Sequence, residues 1–310
     1  MPGAGRRELR PASVSSQPVR VIYLSFPGKP NSRYSCTFRS YDHPEKSPFF
    51  GRRCGQCSGG VDPNVPNVAR MYDYYLDGKD NFAADRAAAE QILKKFPDTK
   101  VGARANRAFL RRAVGYLVDQ GVRQIIDLGA GLPTQGNTHE IAPDARVVYV
   151  DYDSVVCVHG RALLARKDNV DFLQADVREP DALLDKLGGL VDFEQPVAFL
   201  ALAILHFIPD EVAYDVVAKL RKASAPGSHL VISHAVDPTP DVTPQALEIY
   251  KKATASLNLR TREEILRFFE GYELAEPGLT FPNGWRPDDP SAPGNGINFG
   301  YVGVGRKPAH

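Results

Sequence analysis

Residues 125–137 read IIDLGAGLPTQGN. Two isoleucines run into Asp127, and a Gly-x-Gly follows at Gly129 and Gly131. An apolar run closing on glycines is the form of a buried strand whose carboxyl end turns tightly beside a nucleotide-like ligand. Without a Cβ at these two positions, the backbone can approach that ligand closely. A nicotinamide dinucleotide fingerprint, G-x-G-x-x-G, requires a third glycine at position 134 and an apolar residue in place of Asp127. Thr134 stands there instead, after Pro133, and proline is well suited to a first helical turn. The stretch argues against a nicotinamide oxidoreductase and for a cofactor with no pyrophosphate to seat on the following helix.

Outward from this turn, strands and helices alternate. QIIDLG (124–129), RVVYVD (146–151), VDFLQAD (170–176), PVAFLALA (196–203) and HLVISHA (229–235) read as strands, with helix-like stretches at 153–167, 179–187 and 209–223. Nearly continuous apolar strands between helices predict a doubly wound parallel sheet covered on both faces. TPQALEIYKKATASLNL (243–259) and TREEILRFFEG (261–271) predict two further helices, and NFGYVGVGRK (298–307) a closing strand.

Such sheets bind ligands outside the carboxyl ends of their strands. Acids stand at three of those ends: Asp127, Asp151 and Asp176. Asp151 follows Gly131 by 20 residues, a suitable interval for a second strand whose acid accepts from ribose hydroxyls. Asp176 is placed to accept from an adenine amino group, with a neighbouring amide on the ring. Any one aspartate could be a turn residue or a helix cap, and Asp153 reads better as a cap. Three acids in register with three consecutive strands read as a nucleoside site.

Before the sheet, NVARMYDYYLDGKDNFAADRAAAEQILKKF (67–96) predicts an aromatic-rich helix, a break near Asp77-Gly78, and an amphipathic helix with Ala84, Ala87, Ala88, Ile92 and Leu93 on one side. Residues 103–120 predict a third helix facing inward through Ala105, Phe109, Ala113, Tyr116 and Leu117. The expected organisation is a poorly ordered arm over 1–60, rich in Pro, Ser, Arg and Gly, a helical cap or lid over 61–122, and the sheet domain over 123–310. The arm is expected to hold reduced thiols at Cys36, Cys54 and Cys57 rather than a zinc site, and Cys157 to be a packing residue.

The 310 residues carry 38 basic and 37 acidic side chains, a formal net charge of +1, which argues against binding nucleic acid through overall charge. No apolar run approaches the roughly 20 residues that span a bilayer, and the first residues, with two arginines, show no apolar segment like that of a secretory signal. The expectation is a cytoplasmic protein with no membrane or nucleic-acid partner; a homodimer is compatible with it.

The segments VPNVARMYDYYLDGKDNFAADRAAAEQI (65–92), DLGAGLPTQGNTHEIA (127–142) and VVYVDYDSVV (147–156) resemble class I S-adenosylmethionine-dependent methyltransferases. More narrowly, they resemble an actinobacterial S-adenosyl methyltransferase family long catalogued as a domain of unknown function. The likeness covers roughly residues 61–306. It implies an α/β, Rossmann-like, seven-stranded, mostly parallel sheet with an antiparallel final strand and an N-terminal helical cap. It implies S-adenosyl-L-methionine as cofactor and S-adenosyl-L-homocysteine as product. Asp127, Gly129 and Gly131 would shape the pocket for the methionine part. Asp151, with Tyr152 behind it, would hold the ribose, and Asp176 with Val177 the adenine. The loop from Ala203 to His206 would face the sulfonium. Asn67, Tyr72, Asp73, Gly78 and Asn81 would form a lid, with Arg70 pairing the cofactor carboxylate through its guanidinium fork.

Methyl transfer is an in-line displacement dominated by positioning, so a base is required only for acceptors that lose a proton early. His206 is the candidate base, weighed against a structural role in its loop. His234, Tyr74 and Tyr75 could line the acceptor pocket, and Trp285 with Arg286 could either rim it or anchor a surface loop. No H-E-x-x-H or G-x-x-x-x-G-K-[ST] is present, and no metal is expected. The leading expectation is a methyltransferase acting on the O, N or C atom of a small-molecule acceptor. The alternative is a non-catalytic sensor of S-adenosylmethionine or S-adenosylhomocysteine on the same fold.

Overall fold

The computed structural model describes residues 62–133, 136–164, 167–236, 243–289 and 300–309. The arm expected over 1–60, with its three cysteines, lies outside the described residues.

Three helices precede the sheet: α1 (Val68–Tyr75), α2 (Ala83–Lys95) and α3 (Thr99–Asp119). Then follow β1 (Gln124–Leu128), α4 (Thr138–Ile141), β2 (Arg146–Asp151), α5 (Ser154–Leu164), β3 (Val170–Gln174), α6 (Pro180–Leu187), β4 (Ala198–Leu202), α7 (Asp210–Ala223) and β5 (His229–Ala235). The chain closes with α8 (Thr243–Lys251), α9 (Arg262–Arg267), β6 (Glu273–Leu274) and β7 (Gly300–Arg306).

The strands form one sheet of order β3-β2-β1-β4-β5-β7-β6. The pairs from β3 through β5 are parallel, and β7 runs antiparallel to both β5 and β6. This is the mostly parallel seven-stranded sheet with an antiparallel final strand that the family resemblance implies. The strand order reverses between β1 and β4, so a crevice opens at their carboxyl ends.

Alternate residues of each strand feed two cores, which is why the strands read as continuous apolar runs. Ile126, Leu128, Val148, Val150, Phe199 and Ile232 pack with α6, α7 and α9 on one face. Ile125, Val147, Tyr149, Leu200 and Val231 pack on the other against Phe109, Leu110, Ala113, Val114 and Leu117 of α3. By packing, α3 therefore belongs to the sheet, leaving α1 and α2 above its edge. Trp285 is fully buried in this second core, edge-on to Phe109 and Tyr116, while Arg286 stacks over both Tyr116 and Trp285. Trp285 is an anchor of the core and not a rim residue. Each such edge-to-face pair contributes about 0.5–1.5 kcal/mol beyond the area it buries.

A third, smaller core joins α1, α2 and α8 through Met71, Tyr75, Ala88, Ala89, Ile92 and Ala246. The inward stripe of α2 differs from the sequence expectation: Ala84 is half-buried and Ala87 exposed, while Asp85 is fully buried. A buried acid in the stripe disguises the apolar period. α8 also ends at Lys251, short of the helix expected over 243–259. Beyond it the backbone bonds elsewhere, with the Thr254 amide donating to the Pro66 carbonyl at 3.1 Å and the Asn258 amide to the His206 carbonyl at 2.6 Å.

Candidate cofactor and acceptor site

A cavity of about 290 Å³ lies at the crevice, walled by the carboxyl ends of β1, β2, β4 and β5 and roofed by α1, α2 and α8. Asp127, Gly129, Gly131, Asp151, Tyr152, Ala203 and His206 line it, as do Asn67, Tyr72 and Asp73 from the roof.

The turn after β1 needs both glycines. Gly129 has φ +66°, and a Cβ there would come within 2.4 Å of the Ile204 side chain; Gly131 has φ +65°. The Gly131 amide donates to Asp151 Oδ2 at 3.0 Å, and the Asp153 amide to Oδ1 at 2.9 Å, which ties the β1 turn to the end of β2. Burial pushes the Asp127 carboxyl up to about 6, against the lowering effect of the Thr138 hydroxyl, which donates to Oδ2 at 2.7 Å, and of the Arg107 charge. Burial also raises Asp151, opposed by its backbone hydrogen bonds. Two carboxylates with raised affinity for protons facing one cavity are prepared for hydrogen-bond donors or a cation. Ala203, at the end of β4, has φ +54°, an uncommon backbone conformation for a residue other than glycine, with its amide held by the Ser233 hydroxyl at 2.9 Å.

The roof is built from the 67–85 segment. Asn67 Oδ1 accepts from the amides of Ala69 and Arg70 as the N-cap of α1, and its Nδ2 donates to Asp153 Oδ2 at 2.7 Å. Asp153 in turn accepts from the Val155 amide at the start of α5, the capping role expected of it. Asp73, in the last turn of α1, braces the turn to α2 that carries Gly78 and Asn81. Asp73 Oδ2 accepts from Asn81 Nδ2 at 2.8 Å and from the Asp80 amide at 3.0 Å, and a Cβ at Gly78 would lie 1.9 Å from the Asp73 carboxylate. Tyr72 accepts from Asn106 Nδ2 at 2.9 Å.

Arg70 is placed differently from the expectation. Its Nε donates to Asp85 Oδ2 at 2.7 Å and its Nη2 to the Val65 carbonyl at 2.8 Å, with both side chains of the ion pair buried, and it does not line the cavity. Asp85 also accepts from the Asn67 and Phe82 amides. The cavity wall instead presents Arg107 of α3, whose Nη2 donates to the Gly136 carbonyl at 2.8 Å. Asp176 likewise stands outside the cavity. Arg178 donates to it from its amide and guanidinium, holding the carboxyl below its usual range, and lies 5.5 Å from the centre of the Tyr152 ring. The Val177 side chain is buried in the sheet core.

At the β4 and β5 ends, a hydrogen-bond chain sets the state of His206. Arg260 is buried and donates from Nη1 to the Leu205 carbonyl and from Nη2 to the Ile208 carbonyl, both at 2.8 Å; its Nη2 also pairs with Asp210 at 2.8 Å. Nη1 lies 2.7 Å from His234 Nε2, which must accept, so His234 Nδ1 carries the proton and donates to the Ala235 carbonyl at 2.7 Å. The Ala235 amide donates to His206 Nδ1 at 3.2 Å, leaving the neutral ring's proton on Nε2. Burial, with His234 and Arg260 close by, holds His206 well below the ordinary histidine range.

Asp85, Arg107 and Arg260 were not singled out from sequence. Asp85 carried one signal, an acid inside an alanine stripe; Arg107 and Arg260 carried none. Among the described residues, no group of three or more His, Cys, Asp or Glu side chains could hold a metal ion. Nor is any helix among them long and apolar enough to cross a membrane.

This sheet order, with a glycine turn and two strand-end carboxylates opening on one cavity, defines the Rossmann-like methyltransferase class. The chain belongs to the S-adenosyl methyltransferase family, which it matches over residues 55–308. A crystal structure from Thermobifida fusca YX, described as that of a methyltransferase, is 42% identical with a TM-score of 0.75, covering 79% of this chain and 96% of that one. A DUF574 family protein from Streptomyces avermitilis MA-4680 is 36% identical, also with a TM-score of 0.75, covering 80% of this chain and all of that one. A Mycobacterium tuberculosis (strain ATCC 25177 / H37Ra) protein named for S-adenosyl-L-methionine-dependent methyl transfer is 32% identical over 134 residues, 40% of this chain and 41% of that protein. The chain thus spans well under half the length of the curated relatives it matches.

Proposed function

We propose that the protein transfers a methyl group from S-adenosyl-L-methionine to the O, N or C atom of a small-molecule acceptor. The observation that carries this reading is the convergence of Asp127, Gly129, Gly131 and Asp151 on one wall of a cavity that continues past the β4 and β5 ends. Bound there, S-adenosyl-L-methionine would supply an electrophilic methyl group to a lone pair of the acceptor, the carbon–sulfur electron pair going to sulfur. Its methionine ammonium suits the proton-avid Asp127 carboxyl beside a turn that leaves no room for a Cβ at Gly129. Asp151 spends one lone pair of each oxygen on a backbone amide and retains others for ribose hydroxyls.

Arg107 takes the carboxylate role expected of Arg70, because Arg70 is committed to Asp85. Tyr152 offers the adenine a ring face, with Asp176 held by Arg178 at the outer rim. Asn67, Tyr72, Asp73, Gly78 and Asn81 act as a lid by fixing α1 over this wall. Ala203 shapes the passage toward the acceptor. His206 acts as a hydrogen-bond donor through Nε2 and not as a base, since its Nδ1 lone pair already accepts from Ala235. Much of the catalysis then falls to alignment. A cytoplasmic location, and a small molecule rather than nucleic acid or membrane as partner, belong to the same proposal, and the near-balanced charge supports leaving nucleic acid out of it.

The occupied Nδ1 of His206 also favours a second reading, a non-catalytic sensor of cofactor or product. Calorimetric titration with S-adenosylmethionine, followed by a transfer assay on O, N and C acceptors, separates the two. Binding with turnover supports the enzyme, binding without turnover on any acceptor supports the sensor, and no binding sinks both.

A further inference from the structure

Charge in the cavity is lopsided. Among the described lining residues, the charged side chains are Asp73, Arg107, Asp127, Asp151 and Asp153. Asp127, Asp151 and Asp153 sit at the β1 and β2 ends, Arg107 faces them from α3, and the Asp73 carboxylate is turned into the Gly78–Asn81 turn. The other half, beneath α1, α2 and α8, is walled by Tyr75, Ile92, Phe96, Phe207, Ala246 and Tyr250. Tyr75, Ile92, Ala246, Phe96 and Tyr250 belong to one apolar cluster, and the Phe207 ring lies 5.9 Å from that of Tyr250. Among the described residues, the polar groups that line this half are uncharged: the Tyr75 and Tyr250 hydroxyls, 3.5 Å apart, and the neutral His206 ring beside Phe207. Burial raises both tyrosines above their ordinary range, so they stay neutral hydroxyls at physiological pH.

We propose that this half is the acceptor chamber and that it takes an uncharged aromatic molecule. The inference rests on the methyltransferase reading and names its substrate class. Four aromatic side chains suit ring contacts with a planar guest. An ionised guest would lose its hydration with no opposite charge among the described residues of this half to replace it, which costs far more than burying the ring gains. A polar substituent on the guest would meet the paired tyrosine hydroxyls or the neutral His206 ring.

The test is a fluorescence titration of the full chain with N-phenyl-1-naphthylamine and with its sulfonated counterpart, 8-anilino-1-naphthalenesulfonate. Each is run with and without saturating S-adenosylhomocysteine, whose own binding is followed by calorimetry. The uncharged dye should bind saturably, about tenfold or more tighter than the sulfonate, and S-adenosylhomocysteine should not displace it. Ile92→Trp, which fills the chamber, should weaken dye binding about tenfold while S-adenosylhomocysteine affinity stays within about threefold. Ala246→Phe fills the same space from α8 and serves if Ile92→Trp does not fold. Equal or tighter binding of the sulfonate, displacement of the dye by S-adenosylhomocysteine, or unchanged dye affinity in a folded filled variant would overturn the chamber assignment. Loss of S-adenosylhomocysteine binding in the wild type would instead overturn the cofactor reading, and this inference with it.

Discussion

Asn67 and Asp153 are joined by a 2.7 Å hydrogen bond across 86 residues of sequence, and Asn67 Oδ1 caps α1 in the same geometry. One side-chain amide thus seats the roof helix on the acid that starts α5, beside the carboxyl end of β2. Two amide donors bond Asn67 Oδ1 while Nδ2 reaches Asp153, so the two tasks can be separated by substitution. Asn67→Ser keeps a capping oxygen and loses the bridge; Asn67→Ala loses both. Asn67→Ala should cost about 1 kcal/mol or more in urea denaturation, and Asn67→Ser only a few tenths. Both should weaken S-adenosylhomocysteine binding by similar factors in calorimetry, because both release the roof from Asp153. Unchanged affinity in Asn67→Ser would show that the bridge does not shape the cavity.

Asp85, itself fully buried, accepts from the amides of Asn67 and Phe82 and pairs with the buried Arg70. Asp85→Ala leaves a buried guanidinium and two amides without their carboxylate, an expected loss of about 3–5 kcal/mol. The joint replacement Arg70→Met, Asp85→Ala should recover part of that loss. A double-mutant cycle with no coupling between the two positions would refute the role assigned to the pair.

The turn glycines differ in what a methyl group would meet. Gly129→Ala adds a clash with Ile204 to a left-handed backbone and should cost about 1–3 kcal/mol and most of the cofactor affinity. Gly131→Ala has the same backbone strain, but its nearest neighbour is Ala69 Cβ at 4.0 Å, so its stability loss should be nearer 1 kcal/mol. Thermal unfolding of the two variants should rank them in that order.

Much of this architecture was legible because the strands signal themselves twice. Ile125-Ile126 and Val147-Val148 are apolar on successive residues because both sheet faces are covered, and each run stops at an acid on the crevice edge. β6 has only two residues and α4 only four, too short for any periodicity to register. The cavity wall was legible at the strand ends, where Asp127, Gly129, Gly131 and Asp151, read from sequence, line the crevice. Arg70 and Asp176 could not be resolved, because their partners, Asp85 and Arg178, are chosen by packing and turn geometry. The Arg260–His234–Ala235–His206 chain joins segments remote in sequence and leaves no local pattern.

Asp127 makes a pH prediction. Its folded-state pKa of about 6 lies above the ordinary value near 4, so the ligand-free protein holds an extra proton between those limits. Stability of that form should fall as pH rises through about 4 to 6. Asp127→Asn should then be more stable than the wild type at pH 8, by roughly 1 kcal/mol after discounting for solvent in the open cavity. The ammonium of the cofactor needs the ionised carboxylate, so wild-type affinity should be flat above about pH 7 and fall about tenfold per unit below pH 6. The same profile measured on Asp127→Asn should lose this limb.

The most direct measurement is thermal unfolding with S-adenosylhomocysteine, with NAD as control, on the wild type and on Asp151→Ala. At a concentration 100 times the dissociation constant, a ligand that binds only the folded protein stabilises it by about 2.7 kcal/mol. For a domain of this size that is a rise of roughly 5–10 °C. S-adenosylhomocysteine should produce that rise in the wild type, NAD should not, and Asp151→Ala should lose most of it. A rise with NAD alone, or an undiminished S-adenosylhomocysteine shift in Asp151→Ala, would show that the cavity at the β1 and β2 ends is not the methyl-donor site.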